Sequence, residues 1–327
     1  MRSILGLPLG ALLATACCAD ALLDQPLALG DREPLAQIFA LPAARSGAVL
    51  EAGDMELRTA VDVANNFVHA QSGAESLALD GESQRFEIGF RRGLEDGWEV
   101  GVALPWIAWN GGVLDNAIDA WHRWWGLPNA DRPDYRRRQL QFEYQRDGAT
   151  QLDFTRATTG IGDLRLELAR QLVQTSRDAV SIAATVSLPT GSADDLTGSG
   201  GATASLALAA THSGLFGWPL TVTGNIGGSW LQRGDVLEDR QRTAAWFASG
   251  ELSWAVAQDW RLKAQLNAHS ALYDSALRTL GSDSVQLLLG GSVRLSQRWA
   301  LDAAVGEDIA VDTAPDVTFQ LALRSRF

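Results

Sequence analysis

Lysine is nearly missing from this chain. Lys263 is the only one among 27 basic residues, and arginine supplies the rest. Acids outnumber bases, the formal net charge is −12, and no basic face is left for the phosphates of a nucleic acid. Cysteine is confined to Cys17 and Cys18. No run of about 18 or more apolar residues occurs, which excludes membrane-spanning helices even though 46% of the residues are hydrophobic. The four histidines form no Cys/His cluster. There is no P-loop, no dinucleotide fingerprint and no EF-hand spacing among loop acids such as Asp194-Asp195 and Glu238-Asp239, so neither a metal nor a cofactor is expected.

The first residues read as a secretory signal: Arg2, an apolar run over 4–16, then small residues. Cleavage after Ala16 or Ala19 fits a small-x-small site, and cleavage after Ala19 leaves a chain without cysteine. Acylation at Cys17 is the alternative, although the leucine usual three residues earlier is missing. The expected organisation is a signal peptide over 1–19, an N-terminal segment over 20–50 lying in the periplasm or in a lumen, and a membrane barrel over 51–327. The barrel includes a helix and hairpin loop over 107–159.

From residue 54 onward the hydrophobic period is two, which puts successive side chains on opposite faces of a strand. Over 260–273, Trp260, Leu262, Ala264, Leu266, Ala268 and Leu272 share one face, and Arg261, Lys263, Gln265, Asn267, His269 and Tyr273 the other. Residues 98–106 and 317–327 alternate likewise. A soluble sandwich also alternates, but its strands usually run about 5 or 6 residues, whereas many here run to the 9 to 11 or so that a tilted membrane strand needs. Trp98, Trp218, Trp260 and Trp299 begin strands after short turns; Trp106, Trp230 and Trp246 lie at the opposite ends. Trp98 and Trp106 share a face and are about 20 Å apart at roughly 3.3 Å per residue and a tilt near ~40°, which suits an apolar band between two aromatic girdles.

The pattern predicts an all-β antiparallel transmembrane barrel of about twelve strands, at 54–67, 83–92, 97–106, 160–173, 179–189, 201–212, 218–231, 242–256, 260–273, 283–296, 298–311 and 316–327. The intervening loop over 68–82 reads as long and polar. If the hairpin at 138–156 spans, the count becomes fourteen. Short turns alternate with longer loops, as in barrels with periplasmic turns and external loops.

Phe327 at the end of an alternating strand resembles the signal read by the barrel-assembly machinery, with Ser325 where an apolar residue is usual. Ser187-Leu188-Pro189-Thr190-Gly191, with Gly198-Ser199-Gly200 following, and Gly162-Asp163-Leu164 resemble patterns of outer-membrane transporters of aromatic-degradation and fatty-acid uptake pathways. Pro34-Leu35, Ile38-Phe39, Leu41-Pro42 and Asn65-Asn66-Phe67 resemble a family of uncharacterised Gram-negative barrel proteins of unknown function. So do Gly111-Gly112, Leu114-Asp115, Ile118, Trp121-His122 and Gly126-Leu127-Pro128, although Asn129-Ala130-Asp131 then departs from the expected glycine-rich turn. The C-terminal resemblance implies insertion by the assembly machinery, and the barrel reading as a whole is of a monomer in outer-membrane lipid and lipopolysaccharide.

One helix is predicted over 111–125, with Leu114, Ile118, Trp121 and Trp125 at helical spacing beside His122, ended by Gly126 and Pro128. It is a candidate gate or ligand site at the external mouth, or a structural lid. The lumen face carries balanced charge: Glu56, Asp62, Glu87, Glu99, Asp163, Glu167, Glu251, Asp302 and Asp308 against Arg58, Arg85, Arg91, Arg165, Arg261, Lys263, Arg294, Arg324 and Arg326. A strongly ion-selective pore would show one sign in excess. The His and Ser two residues apart of barrel lipid hydrolases are missing, because His212-Ser213 and His269-Ser270 are adjacent and face opposite ways. The expectation is a passive channel for small or amphipathic solutes. The alternatives are a non-transporting structural or surface-interaction barrel and, more remotely, a lipid-modifying enzyme.

Overall fold

The computed structural model describes residues 20–112, 139–309 and 313–327. Its fifteen strands form one sheet: β1 (Met55–Ser72), β2 (Glu75–Gly93), β3 (Trp98–Asn110), β4 (Gln141–Arg146), β5 (Ala149–Phe154), β6 (Thr158–Ile161), β7 (Leu164–Gln174), β8 (Asp178–Leu188), β9 (Thr203–Ser213), β10 (Leu220–Leu231), β11 (Ala244–Ala257), β12 (Trp260–His269), β13 (Ser284–Arg294), β14 (Trp299–Asp308) and β15 (Val317–Arg326). Twelve close into an antiparallel barrel, β15 pairing with β1 and β3 with β7. The other three are additions. β4 pairs with the far part of β2, β5 with β4, and β6 continues the line of β7 along β3. The hairpin at 138–156 therefore does not raise the count to fourteen.

The period-two pattern is the barrel's organising rule. Along β12 exposed and buried side chains alternate, with Trp260, Leu262 and Leu266 outward and Arg261, Lys263 and Gln265 inward. The start of β1 and the end of β15 meet at one rim, where Met55 and Phe327 exchange backbone hydrogen bonds of 2.8 and 3.0 Å. That rim, the terminal end, carries short turns. At 94–97, Asp96 and Gly97 both have positive φ, 56° and 72°, and Gly tolerates that region without a Cβ clash. The opposite rim, the loop end, carries the longer connections.

Several boundaries differ from the sequence pattern. Residues 68–82 are not a loop: β1 and β2 run on past the rim, with the ladder continuing to Ser72 and Glu75. Val68, Leu77 and Leu79 on this extension are buried in a cluster with residues of β4, which supplies the apolar cover that a free polar loop would lack. Residues 107–110 belong to β3 rather than to the loop. The strand expected over 160–173 breaks at 162–163 into β6 and β7. Only glycine fits at 162, because a Cβ there would lie 2.8 Å from Pro105 and 3.0 Å from the Thr197 carbonyl. β12 ends at His269, and Leu272 turns inward to a buried cluster at the loop end instead of facing outward. The helix expected over 111–125 falls, beyond Gly112, outside the described residues.

Residues 20–50 run up the lumen, turn at a short helix (Pro34–Gln37) and come back down to β1. The turn packs Leu35, Ile38 and Phe39 against Trp109, Phe142, Leu237, Tyr273 and other buried apolar residues. The Phe39 and Tyr273 rings meet edge-on, with centroids 5.5 Å apart. This cluster caps the loop end. Lower down, Leu27 and Leu29 pack on Leu288 and Ala304, and Leu22 and Leu23 on Ala300.

Val102 lies midway between Trp98 and Trp106 on the outer face. Val102→Arg should cost about 2–4 kcal/mol of barrel stability, the scale for a charge at the bilayer midplane. The same change at Leu94, in the terminal-end turn, should cost far less. Urea unfolding of the refolded barrel in lipid measures both.

Candidate functional site

The lumen is lined by side chains that strand parity turns inward, and the N-terminal hairpin fills its axis. Its ascending limb is extended and follows β12 at a nearly constant offset. Arg261 Nε reaches Asp24 at 2.7 Å, and Lys263 donates to the Gln25 carbonyl. Gln265 both donates to the Leu27 carbonyl (2.9 Å) and accepts from its N–H (3.0 Å). Asn267 donates to the Leu29 carbonyl at 2.7 Å, His269 Nε2 lies 3.0 Å from Asp31, and Tyr273 donates to the Leu35 carbonyl at 3.0 Å. From Lys263 to His269 each step of two along the strand meets a step of two along the limb, because both are extended.

Across the lumen the descending limb meets a different wall. Arg45 pairs with Glu99 at 3.0 Å and Glu167 at 2.8 Å. Gly47 donates to Thr211 at 2.9 Å and accepts from Gln171 at 2.8 Å. Leu50 N–H donates to Glu99 at 2.7 Å. A Cβ at Gly47 would lie 2.2 Å from the Ala179 carbonyl, so the limb lies directly on the wall.

The charges expected in the lumen fall mostly into ion pairs. Glu87 accepts from Arg58, Arg85 and Arg165, and Arg91 bridges Glu56 and Glu99. Arg324 grips Asp302 with two bonds of 2.7 and 2.8 Å, and Ser292 donates to the same carboxylate. Asp62 meets Arg32 of the hairpin, Arg294 meets Asp20 and Asp259, and Glu251 accepts from Leu27 N–H at 2.9 Å. Asp163 accepts from Gly191 N–H at the break between β6 and β7. Two of the expected charges lie at strand ends. Asp308 holds the backbone of Thr313 and Ala314 at the loop end, and Arg326 pairs with Asp54 at the terminal rim.

Sequence reasoning did not find the hairpin's own partners, Asp24, Asp31, Arg32 and Arg45, because nothing periodic marks them. It also did not find the hydroxyl wall of β9 and β10, where Ser205–Ser229 (2.7 Å), Thr211–Thr223 (3.1 Å) and Ser213–Thr221 (3.2 Å) pair across the ladder. That wall was legible as Ser and Thr on one parity. The tryptophans Trp98, Trp106, Trp218, Trp230, Trp246, Trp260 and Trp299 are all exposed on the outer surface, and Phe327 is exposed at the rim. Leu114, Ile118, Trp121, His122 and Trp125 lie outside the described residues.

Ser284, His269 and Asp31 do come together, but Asp31 sits between the other two. Ser284 donates to it at 3.2 Å, as His269 contacts it at 3.0 Å. A hydrolase needs the serine on the histidine, so this trio ties the hairpin to the wall.

A family model described as protein of unknown function (DUF3187) matches residues 9–327. The chain belongs to this family. Comparison with curated proteins gives no significant match. Among solved structures, an outer-membrane channel from Pseudomonas putida F1 is 13% identical with a TM-score of 0.57, the match covering 86% of this chain and 97% of that one. A toluene transporter from Ralstonia pickettii is 12% identical over 92% of this chain and 94% of its own, but its TM-score of 0.41 carries no argument. At such identity the first likeness shows the fold alone: this DUF3187 chain has the barrel of outer-membrane channels.

Glu33, at the foot of the hairpin's turn, is buried and its Oε1 has no hydrogen-bond partner. Burial, with Asp31 close by, pushes its carboxyl well above the usual carboxylate range. A carboxyl raised in the folded state stabilises least when ionised. Docking of the turn is therefore strongest below about pH 4 and weakens as pH rises toward the raised value. Glu33→Gln should dock the hairpin more firmly at neutral pH and flatten this dependence. Limited proteolysis of residues 20–50 across pH would show it, and a variant cut faster than the parent at neutral pH would contradict it.

Proposed function

We propose that this barrel is a passive outer-membrane channel for small, amphipathic solutes, closed in the described conformation by residues 20–50. The observation that carries the reading is how the hairpin is seated. Its two limbs are held mainly by side-chain hydrogen bonds and ion pairs to a largely polar wall, beside small apolar contacts at Leu22, Leu23, Leu27 and Leu29. Each such bond contributes a net of only about 0.5–1.5 kcal/mol, because water competes for the same groups. A lumen lined this way tolerates water if a limb moves, whereas an apolar lining would not. Two cavities, of about 150 and 60 Å³, already flank the hairpin. The chain acts as a monomer in lipid and lipopolysaccharide, inserted through its Phe327-terminated strand, and carries out no chemistry of its own.

The ion pairs also favour a second reading, a non-transporting barrel whose lumen is structural filling. Cross-linking separates the two. Ser46 on the descending limb and Thr211 on β9 bring their hydroxyls within 3.4 Å, so Ser46→Cys with Thr211→Cys should form a disulfide in a chain that starts at Asp20 and so holds no other cysteine. In planar bilayers, conductance steps from the reduced protein that vanish on oxidation are expected, and would make the hairpin the gate. Steps unchanged by oxidation would route solutes past a fixed hairpin. Silence in both forms, with heat-modifiable migration showing a folded barrel, would overturn the channel reading in favour of structural filling.

A further inference from the structure

We propose that the larger lumen cavity is a binding site for a small organic anion, a carboxylate carried on a compact apolar body. The inference rests on the channel reading only for its biological use; the site itself stands on the cavity's construction. The space exists because two neighbouring wall positions, Gly89 on β2 and Gly101 on β3, have no side chain. Neither glycine is required sterically. A Cβ at 89 would meet nothing closer than 3.7 Å and one at 101 nothing closer than 3.4 Å, so larger residues would fit and would fill the space. The volume, about 150 Å³, matches a cavity that admits a benzene ring.

The cavity is two-faced. Pro26 and Ala28 of the ascending limb and Pro42, Ala43 and Ala44 of the descending limb give it an apolar side. The barrel wall opposite, with Arg45 of the hairpin, presents five arginines against three glutamates. Glu99 and Asp302, lying behind, bring the charge close to balance, so net charge does not make the site. What is missing is acceptors for two of the lining arginines. Arg324 is 2% exposed and spends Nε and Nη2 on Asp302, and its Nη1 has no partner. Arg45 is 8% exposed and spends both Nη atoms on Glu99 and Glu167, and its Nε has none. Buried guanidinium donors without acceptors are costly, and a carboxylate is the group that a guanidinium fork fits best. One acceptor, Glu56 Oε2, is also unpartnered. It favours an acid that carries a hydroxyl over one that does not.

The test uses the refolded full-length processed chain in detergent, with calorimetric titration of benzoate, 4-hydroxybenzoate, benzamide and benzylamine. Saturable binding of benzoate about tenfold or more tighter than the neutral amide or the amine is expected, with 4-hydroxybenzoate tighter still. Arg45→Gln should weaken benzoate by about tenfold. Gly89→Leu should abolish binding by occupying the space while every charge stays in place. Because Arg45→Gln alone could loosen the hairpin, the glycine variant decides the location, and heat-modifiable migration establishes that each variant is folded. Equal binding of the acid, amide and amine would overturn the ligand class. Benzoate binding untouched by Gly89→Leu, or no binding at all, would overturn the site. A silent bilayer together with benzoate binding would remove the channel reading and leave the site standing. Conduction without benzoate binding would do the reverse.

Discussion

The inward face of β12 is what the lumen depends on. Arg261, Lys263, Gln265, Asn267 and His269, with Tyr273 beyond the strand's end, hold the residues between 24 and 35 at a fixed offset. An extended limb inside a closed barrel has no sheet edge to pair with, yet its buried N–H and carbonyl groups must be satisfied. The strand's side chains take the place of a partner strand's backbone. The dependence is mutual, since a buried lysine or glutamine with nothing to bond would itself be costly. Neither the polar face nor the limb is a stable object without the other or without water.

This explains why charges occupy a place where apolar residues would pack as well. Buried ion pairs roughly break even against apolar packing of the same shape, so stability alone does not select them. They differ from an apolar filling in what happens when the filling leaves. Glu87 with its arginines, or Asp302 with Arg324, can exchange partners for water. A leucine-lined lumen exposed in the same way would lose roughly 25 cal/mol for each Å² that is wetted. The hydroxyl wall of β9 and β10 has the same property. The lining suits a lumen that is occupied at one time and wet at another.

The barrel was legible because its signal is repeated. Period two, Trp at strand ends and the run of short turns recur through the chain, and the lumen charges follow from the same parity. The polar face of β12 could be read residue by residue, but not what it faces, because residues 20–50 carry no period and pair with the wall by single contacts. Local errors have local causes. Polar residues at 68–82 resemble a loop unless β4 is known to cover Leu77 and Leu79. Tyr273 extends the alternation of β12 although its hydroxyl has gone to the Leu35 carbonyl. Asp163 lies on the lumen parity of the sequence pattern, but the strand break beside it rests on Gly162 meeting Pro105, a contact between segments far apart in sequence.

The hairpin's fastening is asymmetric, and on the channel reading that sets where movement would begin. Its turn is held by apolar contacts among Leu35, Ile38, Phe39 and the loop-end cluster, which water does not replace. Its limbs are held mainly by polar contacts, which water does replace, with smaller apolar contacts at Leu22, Leu23, Leu27 and Leu29. The ascending limb also begins at the terminal end, where Asp20 and Asp24 meet Arg294 and Arg261 close to the turn that carries Asp259. Water entering at that end can exchange the hydrogen bonds and ion pairs along β12 one after another, each at small net cost, parting only the small Leu22–Leu23–Ala300 contact there and leaving the cap in place. Release from the loop end would have to expose the whole apolar cluster in one step. On the channel reading proposed above, a path would open by peeling a limb from the terminal side, with the cap as the hinge that holds the turn in place.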